Sequence, residues 1–290
     1  MRKDRIDLAG AAGLVLVSVI LGTNQIAIKL TGSGIAPVYQ VALRSVGAVL
    51  VLAVWMAWRR VPFRVNRRTL GPGLVLGVFF AVEFVALFLA LDLTSVSRAS
   101  IIFYSMPVHL SLAANFLLPG ERLTRQRVLG LVLAMAGVVV VMADRGGGEA
   151  SLLGDVLALV GALGWAGIAL LVRISPLQKA YPEEQLMWQI LVSAPLLLIA
   201  APLFGPMLRD IGWIHLPLMA FQVLLVSTFV FLLWFHLLRV YPASNVASFS
   251  FLAPVVSVTL AWLALGEPMH LSVLAALALV AAGIFLINRG

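Results

Sequence analysis

The chain has no cysteine, which removes disulfides, thiol chemistry and every Cys-based metal site at once. Charge is scarce too: Asp, Glu, Lys and Arg make up 11% of the 290 residues, against 62% hydrophobic. One soluble core could not cover so much apolar surface, so lipid must be the solvent for most of the chain. No Gly-Lys dipeptide occurs, hence no P-loop, and no soluble domain is left over to hold a nucleotide; this argues against a primary pump. His109 and His236 have no HExxH frame and no second close His, so no metal site is expected, and each reads as a hydrogen-bonded structural residue. No Ser/His or paired-carboxylate set stands at helical spacing, so no enzyme and no cofactor is implied. No ring-forming filter sequence is present either, which disfavours a pore. The net charge of +8 is scattered among short loops, so it follows membrane topology rather than a nucleic-acid partner.

What is present is apolar length. About 20 helical residues cross roughly 30 Å of hydrocarbon. Runs of that kind cover 8–30, 36–58, 70–91, 95–118 and 126–143, then 152–174, 184–204, 213–238, 244–264 and 270–288. The reading is an all-α membrane protein with ten transmembrane helices, its partner the lipid bilayer. The Gly-rich linker 145–149 separates a first five-helix repeat (1–145) from a second (150–290). If the N-terminus is cytoplasmic, the inner segments hold fifteen Lys and Arg, whereas the outer loops hold three, Arg98, Arg145 and Arg209. That bias places both termini in the cytoplasm. Five spans per repeat then turn the second repeat upside down relative to the first.

The two halves also resemble each other in sequence. Gly120-Glu121 and Gly266-Glu267 share an offset of 146 residues with Ala136-Gly137 and Ala282-Gly283. Tyr104-Ser105-Met106-Pro107 and Leu252-Ala253-Pro254 put a proline at nearly the same depth of spans 4 and 9. Mid-helix, Pro107 and Pro254 would free the carbonyls of Phe103 and Ser250, which must meet a neighbouring helix, water or a ligand. Inverted repeats with broken helices are the pattern of a secondary transporter whose site lies at the midplane. Each Gly-Glu pair reads as a helix stop followed by a carboxylate that suits the N-terminal end of the next helix.

Glu83 falls near the middle of span 3, where a carboxylate costs roughly 2.5–3.5 kcal/mol on insertion scales. It either binds a substrate ammonium, takes up a proton during exchange, serves as a static partner for Lys29 or Arg44, or stays a neutral carboxylic acid. Those two read as structural charges, with Lys29 able to snorkel from the end of span 1. Phe79, Phe80, Tyr104 and Trp165 are aromatic groups near the midplane that would suit an apolar side chain. Asn115, Gln189 and Gln222 read as interhelical hydrogen bonders.

Several of these segments resemble the EamA-type ten-helix transporters of the drug/metabolite transporter superfamily. The resemblance rests on Gly22-Thr23-Asn24-Gln25 through Lys29, Ala42-Leu43-Arg44, the Tyr104 to Pro107 stretch, Gly120-Glu121-Arg122-Leu123-Thr124, Ala253-Pro254 and Leu265-Gly266-Glu267-Pro268. Thr23 departs from it, since many members carry Trp after the glycine. The resemblance implies that span 1 lines a cavity, and it brings in Asn24 and Gln25 beside Glu83, Ser250 and the prolines. It also implies export of amino acids, neutral or aromatic, or of similar small metabolites across the inner membrane by alternating access, with an aromatic amino-acid exporter as the nearest branch. The alternative is a lipid or glycolipid flippase or scramblase component. A monomer or weak dimer is expected.

Overall fold

The computed structural model describes residues 7–118, 123–144, 150–241, 249 and 252–289, and its regular elements there are helical. Gly120, Glu121, Arg122, the linker 145–149 and Ser250 lie outside the described residues. The first half comprises α1 (Leu8–Gly32), α2 (Pro37–Arg59), α3 (Arg67–Leu93), α4 (Val96–Phe103), α5 (Met106–Leu117) and α6 (Arg125–Ala143). The second comprises α7 (Leu152–Ile174), α8 (Pro182–Ala200), α9 (His215–Ala220), α10 (Phe231–Val240), α11 (Leu252–Leu265) and α12 (Leu271–Arg289). Eight stretches are long and apolar enough to cross a membrane, and α11 and the described part of α12 are shorter apolar helices.

Helix starts follow from local chemistry. The side chains of Asp7, Ser95, Thr124 and Ser151 accept from the backbone N–H three residues on, and Asn66 with Thr69 forms a reciprocal capping box for α3. Gly266 ends α11 with φ +68°, the left-handed conformation that glycine adopts without strain.

Two spans are not the uninterrupted helices that hydropathy predicts. Span 4 divides into α4 and α5 at Tyr104-Ser105. Pro107 sits in the first turn of α5, where it has no N–H to offer the Phe103 carbonyl. Span 8 is α9, then a π-helical segment (Phe221–Val230), then α10. The Thr228 hydroxyl donates to the carbonyl of Val223, five residues back, as π winding requires.

Packing places small residues where backbones meet. A methyl group on Gly130 of α6 would stand 2.6 Å from the Gly283 carbonyl of α12, so these two helices form a tight pair. Helix α3 lies against α7 and α8, and α1 against α11. We call the membrane face where α1 begins proximal and the face where it ends distal.

Candidate functional site

Helix α3 carries its functional side chains along one flank. Phe80, Phe84 and Phe88, four residues apart, meet in sequence, tilted and then edge-on, with ring centroids 4.4 and 6.0 Å apart. Glu83 lies beside them, buried against α7, where a methyl on Gly164 would come within 3.0 Å of the Glu83 Cβ. Only glycine there allows α7 to approach the carboxylate-bearing turn so closely. Facing Glu83 from α2 is Arg44, 4% exposed, its guanidinium carbon 4.4 Å from the Phe84 ring centroid and 5.7 Å from that of Phe88. Arg44 Nε donates to Ser227 Oγ at 2.6 Å, which ties α2 to the π-helical segment. Glu83 and Arg44 are close enough to interact electrostatically, yet no ion pair between them is formed within 4.0 Å.

From Glu83 the cluster continues through the Gly161–Gly164 face of α7. Trp165 stacks on Phe103 at 5.2 Å and 18°, and Tyr104 meets Trp165 edge-on at 6.1 Å. The Tyr104 side chain faces Gln25 of α1. Asn24 Oδ1, Gln25 Oε1, Ser100 Oγ and Arg44 Nη1 are buried with no hydrogen-bond partner. A rise of 1.5 Å per residue puts Asn24, Arg44, Glu83 and Tyr104 on the order of 10–15 Å from the distal helix ends.

The structure therefore brings Gln25, Glu83, Tyr104 and Trp165 into one neighbourhood, with Phe80 alongside, and buries Asn24 at a similar depth of α1. It leaves other candidates apart. Phe79 points away, 40% exposed and packed on Gly167. Pro107 is half-buried at the α4–α5 break. Pro254 is buried on α11, and the residues just before that helix lie outside the described ones. Lys29 donates to the carbonyl of Thr94, the residue capping the end of α3 (3.0 Å), and so acts as a C-terminal cap for that helix.

Sequence reading also missed a polar seal at the distal face. Arg98, expected in an outer loop, is 6% exposed on α4 and forms a two-pronged pair with Asp155 of α7 (3.1 and 2.6 Å). A third bond runs from Arg98 Nη1 to the Asp144 carbonyl at 2.6 Å. Glu267, expected at the start of the following helix, instead caps α4 of the other half. It accepts from Val96 N at 2.6 Å, Ser97 N at 3.0 Å and Ser97 Oγ at 2.6 Å. Arg209 pairs with Asp92 (2.6 and 2.8 Å), and that hydrogen bond holds the guanidinium above its usual range despite partial burial. Ser33 meets His215 Nε2 at 3.0 Å. A cavity lined in part by Ser95, Ser97, Arg98, Asp144, Glu267 and His270 opens here, and none of the predicted site residues lines it. Across the proximal face, the described residues join the halves through Glu184 accepting from Arg64 N (2.9 Å) and Tyr241 donating to Asp7 (2.6 Å).

Comparison with known proteins gives this architecture its family. The pattern of the EamA-like transporter family matches residues 8–143 and again residues 152–289. The uncharacterized transporter YvbV of Bacillus subtilis (strain 168) is 32% identical over 176 residues, 58% of this chain and 55% of its own length. Similarity to the uncharacterized transporter YoaV of the same organism is lower, 23%, but covers 94% of both chains. A probable amino-acid metabolite efflux pump of Salmonella typhimurium is 25% identical over 94% of this chain and 92% of its own. One crystal structure, 22% identical, superimposes with a TM-score of 0.70 over 96% of this chain and 97% of the other, a likeness of fold. With the family pattern present twice and spanning nearly all of the sequence, this multi-pass membrane protein belongs to the EamA-like transporter family.

Proposed function

We propose that the chain is a secondary transporter or facilitator that exports amino acids, or metabolites of similar size and polarity, by alternating access across the inner membrane. The observation that carries this reading is the set of buried, unpartnered polar atoms at mid-depth, Asn24 Oδ1, Gln25 Oε1, Ser100 Oγ and Arg44 Nη1, together with the buried carboxylate of Glu83. Unpaired polar groups inside a membrane are costly, and that cost is offset when a polar ligand or water reaches them. Phe103, Tyr104 and Trp165 supply the apolar wall for a side chain.

Alternating access needs two conformations that close opposite faces. Among the described residues, the distal face joins the halves through Glu267, Arg98 and Arg209. With both termini cytoplasmic, as the Lys and Arg distribution favours, this is the state closed to the outside. Similarity to an amino-acid metabolite efflux pump supports the direction and the substrate class. Glu83 also offers a site for a coupling proton.

The test is flux in proteoliposomes. Purified protein is preloaded with unlabelled amino acids, nucleosides or sugars, and exchange of labelled phenylalanine, threonine, methionine and uridine is followed with and without a pH gradient. Saturable exchange confined to amino acids is the expected outcome, and a response to the gradient would assign the proton to transport. Absence of solute flux together with scrambling of labelled phospholipid would overturn the reading in favour of lipid handling.

A further inference from the structure

We infer that Arg44, which reads from sequence as a structural charge, is the carboxylate-binding residue, and that with Glu83 it selects substrates carrying both a carboxylate and an ammonium. This rests on the transport reading above and names its specificity device.

Four features of Arg44 point the same way. It is 4% exposed at mid-depth, yet its Nη1 has no hydrogen-bond partner. Its guanidinium plane is immobilised by the Phe84 and Phe88 rings, a cation–π arrangement that adds hold without using the N–H donors. Its Nε is already committed to Ser227 Oγ, so the Nη edge is the edge left for an anion, and an end-on carboxylate fits that fork. Finally, the π-helical segment is built around this contact. On α2, Gln40 and Arg44 are four residues apart and share a face; opposite them, Gln222 and Ser227 are five apart and meet them at 3.1 and 2.6 Å. In an α-helix a fifth residue lies ~140° round from the first. The i→i+5 closure of a π-helix brings it back over the first, which lets both pairs form together.

Charge balance then fixes the class of ligand. Arg44 and Glu83 form no ion pair within 4.0 Å, so whenever Glu83 is ionised each has capacity for a partner of opposite sign. A simple carboxylate would satisfy Arg44 and leave Glu83 facing added negative charge; a simple amine would do the reverse. A zwitterion answers both without changing the net charge of the site.

The experiment is counterflow of labelled L-phenylalanine into proteoliposomes, competed with unlabelled L-phenylalanine, its amide, phenethylamine and 3-phenylpropionate. Wild type should be inhibited by phenylalanine at least tenfold more strongly than by the three analogues. Arg44→Lys should raise KM for phenylalanine tenfold or more and erase the preference for the acid over the amide. Ser227→Ala removes only the hydrogen bond that orients the guanidinium, and should raise KM several-fold with the same partial loss of acid-over-amide preference, so it decides the matter if Arg44→Lys does not fold. Wild-type discrimination retained in Ser227→Ala and in folded Arg44→Lys would overturn this inference while leaving the transport reading intact. No flux of phenylalanine, threonine or methionine in wild type would overturn the amino-acid reading itself, and this inference with it.

Discussion

Two arginines among the described residues are buried under similar cover and treated in opposite ways. Arg98, at the distal seal, is bonded to both carboxylate oxygens of Asp155 and to the Asp144 carbonyl. Arg44, at mid-depth, has one hydrogen bond to a neutral hydroxyl, two aromatic faces and an unused Nη1. Burial alone therefore does not tell a structural cation from a working one. The difference lies in how completely its donors are used: a saturated guanidinium locks helices together, and an unsaturated one holds binding capacity in reserve.

That contrast can be broken at the saturated end first. Asp155→Ala would strand Arg98 as an uncompensated buried charge, a loss of roughly 3–5 kcal/mol of stability. It should show as a large fall in thermal midpoint in detergent, largely restored in an Arg98→Met/Asp155→Leu double variant. An unchanged midpoint would mean that the seal contributes nothing. Glu267→Ala removes three hydrogen bonds from the start of α4, with an expected cost of about 2–3 kcal/mol to the distally closed state. Because the chain lacks cysteine, one probe cysteine at Val273 in the distal cavity can report it. Labelling by a membrane-impermeant maleimide should rise in Glu267→Ala, and equal rates would refute the latch.

At the unsaturated end the readout changes from stability to flux. Glu83→Gln should lower the proteoliposome exchange rate about tenfold, equivalent to ~1.4 kcal/mol in the barrier, while thermal stability stays near wild type. The opposite pattern, stability lost and flux kept, would make Glu83 a structural partner of Arg44. Smallest of all is the exposed pair. Asp92→Asn should cost under ~1 kcal/mol, and less as salt is added. Asp92 raises the Arg209 guanidinium further above its usual range, so the stability it lends is present at neutral pH and is lost on the alkaline side only as pH rises through that raised value. Salt, not mild alkali, is therefore the variable that weakens this pair.

The sequence made spans and duplication legible because both are written in local composition. Apolar length gives spans, and the Gly-Glu, Ala-Gly and proline pairs recur at nearly one offset. The interior of span 8 was not legible, since apolar residues on every side carry no period that could separate α from π winding. Span 4 showed its proline but not that the helix would restart at Met106. Arg98 was misread because a charge just before an apolar run looks like a loop residue; its partner Asp155 lies 57 positions away. Glu83 announced itself by its cost in hydrocarbon. Arg44 was equally visible, yet whether its donors are used depends on Ser227, 183 positions away. Long-range pairing is what composition cannot record.

Two of the three bonds that Glu267 receives come from main-chain amides, those of Val96 and Ser97. Every residue except proline presents such an amide, so α4 can change its side chains freely without losing them. Adjusting the hold from the α4 side is limited to the Ser97 hydroxyl. The other half, by contrast, sets it through a single carboxylate on a short turn after Gly266. A change at Glu267 alone thus retunes how firmly the two halves hold together at the distal face, while α4 answers to other demands.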